Sequence, residues 1–273
     1  MQALIKKIKY FSRKVSASRI GAYSAQTAYF MFFSLVPLVV LLLSLVSRLD
    51  ILSSSEYLTT TAKEFSPSVL NGFFSDYFSE LIGANTLSLT IVSAFVLLWS
   101  ASKGIFSIIG GLNSGYEGRE SRNYFLLRIL AVFYTVVFIV ILLLALFLMV
   151  FGKTIANYMY SLFPNLKGLV YVVSSLRFII GFLMLVAFFL LLYKALPSKT
   201  VRFSDQMPGA MISATGWVSF SILFSFFIDN FSNYSKLYGS LAAVMVLLLW
   251  MYVCMYIMFI GAEINFILSQ NDN

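Results

Sequence analysis

The chain has 273 residues, 60% of them hydrophobic and 11% charged, with a formal net charge of +8. Because a soluble domain typically carries about 25% charged residues, this chain has too little polar surface to be covered by water, which excludes most soluble enzymes. The bases form no domain-sized basic face, so we expect no nucleic-acid partner; eleven of the nineteen Lys and Arg residues fall on predicted cytoplasmic segments, which suits anionic inner-leaflet lipids.

The first 22 residues are predicted to form a basic amphipathic segment in the membrane interface. Six Lys and Arg residues lie within residues 1–19 and alternate with apolar side chains at helical spacing. That pattern is typical of a helix that lies in the plane of the interface. A disordered basic tail is the alternative. Because translocated segments resist Lys and Arg, this end of the chain should be cytoplasmic.

Six long apolar runs follow, and each is predicted to be a transmembrane helix. They cover about residues 23–47, 87–112, 124–151, 169–196, 209–228 and 241–268. Each reaches the roughly 20 residues that cross a bilayer, and the longer runs should tilt. The sequence therefore predicts an all-α, polytopic membrane protein, with a six-helix domain over residues 23–268 and a short cytoplasmic tail over residues 269–273.

The charges of the connections predict the orientation of these helices. Basic connections alternate with acidic or sparsely charged ones, so residues 112–123 and 195–208 should be cytoplasmic together with both termini. Residues 48–86 hold five of the eleven acidic residues and are predicted to be external. Apolar side chains after Pro67 predict an amphipathic helix within that segment, and the role of the segment stays open.

The first span has a proline and polar side chains inside it. Pro37 lies near its middle and is expected to kink the helix, because proline removes one backbone hydrogen bond. Gln26 and Ser34 recur at helical spacing with Tyr23 and Phe30. We therefore expect Gln26 and Ser34 to face protein or a cavity rather than lipid.

Charged side chains inside the spans are the sharpest signals, because a charge at a helix centre costs about 2.5–3.5 kcal/mol on insertion scales. Lys103 should lie in the cytoplasmic third of span 2, at the depth of Glu263, with which it is predicted to pair. Arg177 lies near the outer end of span 4, where Asp229 is its natural partner. Arg128 lies one turn from a cytoplasmic end and can snorkel. Structural ion pairs and contacts to a substrate are both open for these residues.

No arrangement typical of catalysis is present. The chain has no histidine and a single cysteine, Cys254, inside an apolar run. A Ser-His-Asp triad, a disulfide within the chain and a zinc site are thereby excluded, and no phosphate-binding loop motif occurs. We expect no catalytic residue, no metal and no cofactor.

Several segments in order resemble the YihY/BrkB family of bacterial inner-membrane proteins. The strongest likeness is residues 233–265, with Tyr-Gly-Ser, Leu-Trp-x-Tyr and Gly-Ala-Glu-x-Asn motifs. Residues 22–44, 196–210 and 100–116 also resemble the family, with Asn113 at the family's asparagine position. The likeness covers most of the chain and is least over residues 50–85. It implies six transmembrane helices in the bacterial cytoplasmic membrane, with both termini cytoplasmic.

The family's labels favour different functions. Members have been called ribonuclease BN, but a hydrolytic nuclease needs metal carboxylates or histidine and a basic groove. Others have been linked to serum resistance and to export of lipid or lipopolysaccharide. We expect a transporter or flippase-like protein for an amphiphilic, anionic lipid or envelope precursor, with membrane lipids as partners. A non-transporting scaffold that binds other envelope proteins is the alternative, a membrane hydrolase ranks far below, and a homo-oligomer is open.

Two sets of residues carry these expectations. The predicted substrate contacts are polar or basic, namely Arg177, Lys103, Gln26, Asn113, Asn233 and Tyr234. The predicted structural or coupling positions are Glu263, Asp229, Pro37, Tyr238 and Gly239. A transporter requires a polar cavity that reaches the midplane, whereas a scaffold predicts a sealed bundle with an exposed groove.

Overall fold

A computed structural model describes residues 9, 13–46, 86–141, 167–199, 201–230 and 240–271 of the chain. Every regular element within these ranges is a helix, and none of the described residues is in a strand. The all-α prediction is therefore confirmed. The predicted external segment over residues 48–86 falls almost entirely outside the described residues.

Six long helices account for most of the described chain. They are α1 (Ile20–Val46), α2 (Thr86–Gly115), α3 (Tyr124–Ile141), α4 (Lys167–Ala195), α5 (Met207–Asn230) and α6 (Ser240–Asn271), with a 3-10 turn over Ser204–Gln206 before α5. The five helices described at both ends begin and end within three residues of the predicted apolar runs. Long apolar runs become helices in lipid because each backbone polar group is then satisfied within its own segment.

Within the described ranges, four stretches are long and apolar enough to cross a membrane. They are Ile91–Gly115, Tyr124–Ile141, Ser204–Ile228 and Val244–Gln270, and a shorter apolar stretch covers Ile179–Ala195. The chain is thus a multi-pass membrane protein, as predicted, while the count of six spans stays a prediction.

The outer surface of the bundle is apolar. Phe95 on α2 is 67% exposed, Phe125 on α3 is 73% exposed and Leu223 on α5 is 66% exposed. Soluble monomers rarely expose contiguous apolar surface on this scale. Lipid chains rather than water are the solvent that fits this surface.

The core lies where α6 packs against α1, α2 and α5, while α4 packs against α5 and α1 lies along α2. Ile105, Leu112, Phe189, Met258 and Phe259 are all 2% exposed or less. Because these side chains are buried, the rotation of each helix about its own axis is fixed. The directions in which the polar side chains of these helices point are fixed with it.

Glycines allow the closest helix contacts. A β-carbon on Gly209 of α5 would collide with the carbonyl oxygen of Gly261 on α6, and one on Gly261 would lie 2.7 Å from the Tyr193 hydroxyl. On α2, a β-carbon on Gly111 would collide with the Phe259 ring. Small residues let membrane helices approach closely, so these glycines serve packing.

Four parts of the chain meet at one end of the bundle, which we call the polar end: residues 13–19, 113–123, 196–206 and 259–266. Lys14 lies 2.6 Å from Glu117, and the backbone N–H of Ser198 donates to Asn113 over 2.7 Å. The 3-10 turn before α5 also packs against α6. The charge pattern predicts these same parts on one side of the membrane, and that this side is cytoplasmic stays a prediction.

Candidate functional site

A buried hydrogen-bond network joins α2, α5 and α6 at the polar end. The Tyr116 hydroxyl, just after α2, donates to Oε1 of Gln206. Nδ2 of Asn265 donates to the same Oε1 over 3.1 Å and to the Gln206 carbonyl over 3.2 Å. Oδ1 of Asn265 accepts the backbone N–H of Gly209 over 2.6 Å. Burial raises the pKa of the Tyr116 phenol far above its usual range, so Tyr116 stays a neutral donor.

Asn113 ties the end of α2 to the connection before α5. Its Oδ1 accepts the backbone N–H of Ser198 over 2.7 Å and the Ser198 hydroxyl over 3.1 Å. Its Nδ2 donates to Oε2 of Glu120 over 2.6 Å. The side chain predicted to contact a substrate is therefore already held by contacts within the protein.

Glu120 is in turn held by Arg122. The Arg122 guanidinium donates to both carboxylate oxygens over 2.8 Å and to the carbonyl oxygen of Leu196 over 2.9 Å. These paired hydrogen bonds lower the pKa of Glu120, and the carboxylate raises the pKa of Arg122. The 113–123 connection is thus attached to the end of α4.

Lys14 of the N-terminal segment points into the polar end. Its Nζ lies 2.6 Å from Oε1 of Glu117, 3.8 Å from Oε2 of Glu263 and 3.9 Å from the centre of the Phe266 ring. The side chain of Glu263 is 0% exposed, and neither of its carboxylate oxygens has a hydrogen-bond partner among the described residues. Lys14 is the cation that compensates this buried carboxylate.

The predicted pairing of Lys103 with Glu263 is wrong. A β-carbon on Gly115 would lie 3.4 Å from Oε1 of Glu263, so the carboxylate sits beside the last residue of α2. Lys103 lies twelve residues earlier, roughly 18 Å along the helix at 1.5 Å per residue. The two charges are at different depths because α2 continues past its apolar run to Gly115.

Lys103 instead lies among aromatic rings, together with a second cation. Its Nζ is 5.4 Å from the ring centre of Phe30 and 5.8 Å from that of Trp99. The Arg128 guanidinium of α3 lies 4.4 Å from the same Trp99 ring, and its Nη2 donates to the Trp99 carbonyl over 3.3 Å. We call Lys103 and Arg128 the cation pair. Neither has a carboxylate within ion-pair distance in the part of the chain that is described.

A groove lies along α2 beside the polar end. It has a volume of about 370 Å³ and is lined by residues of α1, α2, α3 and the following connection, among them Tyr23, Phe106, Gly110, Asn113, Glu120 and Leu127. Lys103, Phe106, Gly110 and Asn113 recur every three or four residues, so they share one face of α2, which we call the groove face. The groove face leads from the cation pair to the polar end.

The first span differs from the prediction at one position. Ser34 is buried, and its hydroxyl donates to the Met31 carbonyl over 2.7 Å. Gln26 is exposed on the opposite side of α1, because Ser24, Ala28 and Met31 form the buried face. Gln26 therefore does not face protein, and the alternative that it faces a cavity rather than lipid stays a prediction. Pro37 lies on the buried side, and α1 continues through it from Ile20 to Val46.

Six of the predicted positions have side chains outside the described part of the chain. Arg177 lies in α4 and Asp229 in α5, and their side chains are not among those described. Asn233, Tyr234, Tyr238 and Gly239 lie wholly outside the described residues. Their roles stay predictions.

Sequence reasoning missed the residues that make most of these contacts. Lys14 is one of six bases in a short stretch, and nothing in its spacing separates it from its neighbours. Gln206 and Asn265 carry a weak signal, since each is an amide at the edge of an apolar run. The described residues hold no group of three or more His, Cys, Asp or Glu side chains close enough to share a metal ion.

Comparison with known proteins gives consistent matches. The model of the family described as Virulence factor BrkB matches residues 11–273. A ribonuclease-like protein of Bacillus subtilis, YfkH, is 30% identical over 90% of this chain and 89% of its own length. A UPF0761 membrane protein of Vibrio vulnificus is 28% identical over 100% of this chain and 85% of its own, and one of Aliivibrio salmonicida is 27% identical over 96% and 83%. No solved structure matches the chain.

Proposed function

This chain belongs to the Virulence factor BrkB family of membrane proteins, and on that premise we propose that it binds an anionic amphiphile and moves it across the bilayer. The amphiphile is a lipid or a cell-envelope precursor with a phosphate or carboxylate headgroup. The membrane is the bacterial cytoplasmic membrane, with both termini on the cytoplasmic side, as the distribution of Lys and Arg favours.

The cation pair is the observation that carries this proposal. A cation inside an apolar bundle is costly unless it has a partner, water or a ligand. Lys103 and Arg128 flank Trp99, and no carboxylate of the described residues compensates them. The headgroup of an anionic lipid would supply the missing charge, and a guanidinium binds phosphate or carboxylate through paired donors.

The surroundings of the cation pair suit an amphiphile rather than a free anion. Trp99 is 53% exposed and Ile129 on α3 is 66% exposed, so apolar surface continues beside the two charges. Tyr124, the first residue of α3, packs against Phe106 of α2 with ring centres 6.1 Å apart. Arg128 follows Tyr124 by four residues and so lies about one helical turn inside the start of α3. Acyl chains would lie on the apolar surface while the headgroup meets Lys103 and Arg128.

The groove face supports a lateral route for the headgroup. It runs along α2 from Lys103 to the open groove beside Asn113, and α1 borders it through Phe30 and Tyr23. The headgroup would follow the groove face while the chains stay in lipid. Arg177, nearer the predicted outer end of α4, is the further anion contact that we propose for the other half of the bilayer.

A scaffold function is the second candidate, and the closed network at the polar end favours it. Tyr116, Gln206 and Asn265 satisfy one another in a buried site, which suits a rigid surface for a protein partner. One relative has a ribonuclease-like name, but neither candidate function includes catalysis. We propose no catalysis for a chain without histidine. A scaffold would leave lipid in its original leaflet, so lipid movement separates the two candidates.

The test is lipid movement in vesicles that contain the purified protein. Fluorescent phosphatidylglycerol is placed in one leaflet, and its appearance in the other is followed beside fluorescent phosphatidylcholine. We expect the protein to move the anionic lipid, and the double variant Lys103→Gln with Arg128→Gln to slow it about tenfold, the factor that corresponds to about 1.4 kcal/mol of headgroup binding.

The matched control removes a base outside the cation pair. Arg202 is exposed on the connection before α5, so Arg202→Gln changes the net charge without touching Trp99. Arg202→Gln should leave lipid movement unchanged. Equal movement of both lipids by the native protein and the double variant, or no movement by the native protein, would contradict the proposal.

A further inference from the structure

The carboxylate of Glu263 is the least compensated charge among the described side chains. It is 0% exposed, and among the residues that the structure describes neither oxygen accepts a hydrogen bond and the one cation within ion-pair distance is Lys14, 3.8 Å from Oε2. A buried carboxylate that lacks hydrogen bonds depends on its counter-ion to remain charged. The charge state of Glu263 and the position of Lys14 are therefore linked.

Lys14 belongs to a short segment that precedes α1 and packs on the polar end. Residues 13–17 are helical, and a turn at Ser18 and Arg19 connects them to α1. The segment is held by Lys14 and by the hydrogen bond that the Ser114 hydroxyl donates to the Ser18 carbonyl over 2.9 Å. Lys14 and Ser18 are its buried side chains, and Val15 packs against the core beside them. A short helix with so few contacts is a small cooperative unit, and such units open before the rest of a fold.

Backbone strain lies on both sides of this contact. Among the described residues other than glycine, the two with positive φ are Arg19 at 51° and Glu117 at 52°. Left-handed backbone is unfavourable for such residues and persists only where the surrounding contacts impose it. Arg19 forms the turn after the segment, and Glu117 is the second carboxylate that binds Lys14. Both residues lie in turns closed by local backbone hydrogen bonds, such as the one that the Gly118 N–H donates to the Asn113 carbonyl over 2.8 Å.

We infer that Glu263 is a proton-binding site, and that a proton bound there replaces Lys14 and releases the N-terminal segment from the polar end. The proton adds to one carboxylate oxygen of Glu263 and gives a neutral carboxylic acid. Lys14 keeps its own proton and its exposed partner Glu117, and it leaves the buried position as an ammonium ion because the buried acid beside it no longer carries a compensating charge. The inference rests on the proposed function, to which it adds a proton as the ion that controls the transporter.

The neighbouring charged groups fit this assignment. Those that face Glu263 are Lys14 of the N-terminal segment, Glu117 of the turn after α2 and Tyr116 just after α2. The Ser18 hydroxyl also lies beside Glu263, although its hydrogen bond goes to the Lys14 carbonyl over 3.0 Å. The side chain of Glu117 is 61% exposed, so water solvates its charge. Tyr116 stays neutral because burial raises its pKa. Glu263 is the group for which proton binding and loss of Lys14 are the same event.

Two adjacent reporter positions measure undocking. Ser18 is buried and Ala17 is exposed, so Ser18→Cys and Ala17→Cys give a hidden and an open thiol one residue apart. Each is placed in a Cys254→Ala background in detergent or nanodiscs and labelled with a water-soluble maleimide. The ratio of the two labelling rates at each pH cancels the intrinsic pH dependence of the thiol reaction.

We expect this ratio to rise as the pH of the buffer is lowered, by at most about tenfold per pH unit because one proton is bound. Glu263→Gln, which keeps the shape and removes the charge, should give a high ratio at every pH. Glu117→Gln is the matched control, because it removes the exposed partner and should leave the pH response in place.

Three outcomes would overturn the inference. The first is a ratio that does not change with pH in the native background. The second is a Glu263→Gln protein that still responds to pH, and the third is a response that Glu117→Gln abolishes. The native titration stands even if Glu263→Gln fails to fold. Because labelling is read without lipid transport, failure here is distinct from failure of the vesicle test.

Discussion

At the scale of single residues, the amides at the polar end serve the fold. Asn113 and Asn265 each bind a backbone N–H of another segment, through Ser198 and Gly209 respectively. A buried side-chain amide with hydrogen-bond partners on both of its polar atoms fixes the relative position of the segments that it joins, while its net contribution to the free energy of unfolding is small. Removing one such amide leaves several groups unsatisfied, and that is where the large effect on stability arises.

Asn265→Ala should lower the stability of the folded protein by about 1–3 kcal/mol, because the Gly209 N–H and both Gln206 oxygens lose a partner. Thermal unfolding in detergent, followed by tryptophan fluorescence, measures the loss. Gln26→Ala, at an exposed position on α1, is the control and should leave the midpoint in place. Equal midpoints for the two variants would contradict the role assigned to Asn265.

Glu120 should make the polar end sensitive to acid. Arg122 lowers the pKa of Glu120 in the folded protein, so the stabilisation is present above the usual pKa of a glutamate, about 4.3, and is lost as the pH falls through the lower folded value. We expect Glu120→Gln to lose stability at neutral pH and to show a flatter acid limb when unfolding midpoints are plotted against pH.

Asp205→Asn is the control for that titration, since Asp205 has no ion-pair partner among the described residues. It should keep the shape of the native curve. Should Glu120→Gln and the native protein lose stability in parallel in acid, the pair with Arg122 would not be the source of the acid sensitivity.

At the scale of helices, glycine sets how closely α5 and α6 cross. The Gly261 position is enclosed by the Ser213 hydroxyl, the Gly209 carbonyl and the Tyr193 hydroxyl. Tyr193 also donates to the Met258 carbonyl over 2.6 Å, which brings α4 to the same crossing. Three helices therefore share one contact that a single added methyl group would open.

Gly261→Ala should destabilise the bundle by about 1–3 kcal/mol, the usual effect of overpacking a tight contact. Gly181→Ala is a matched control on α4, because no atom lies within 4 Å of the position of its β-carbon. Alanine forms helices better than glycine, so Gly181→Ala should be neutral or stabilising by up to about 1 kcal/mol. Unfolding midpoints in detergent compare the two, and equal effects would contradict the close crossing.

At the scale of the whole molecule, the polar end gathers the parts of the chain that the Lys and Arg pattern places in the cytoplasm. We expect Arg119→Cys and Arg202→Cys, in a Cys254→Ala background, to resist a membrane-impermeant thiol reagent added to intact cells and to react once the cells are opened. Lys153→Cys, on a predicted external connection, should react from outside. Labelling of position 119 or 202 in intact cells would contradict the orientation.

The sequence by itself determined which segments become helices and which connections share an end of the bundle. Hydrophobic length and the distribution of Lys and Arg act on each segment separately, so they can be recognised without knowing its neighbours. The described bounds of α1, α2, α4, α5 and α6 agree with those runs within three residues.

The tertiary structure alone decided which side chains meet. Lys14, and not Lys103, reaches Glu263, because Gly111 and Gly115 let α6 approach the end of α2 and the N-terminal segment folds back onto that end. Arg128 reaches Trp99 because α3 begins beside Phe106. The relative depth and rotation of two helices follow from close packing between distant parts of the chain, and hydropathy and charge counts carry no information about it.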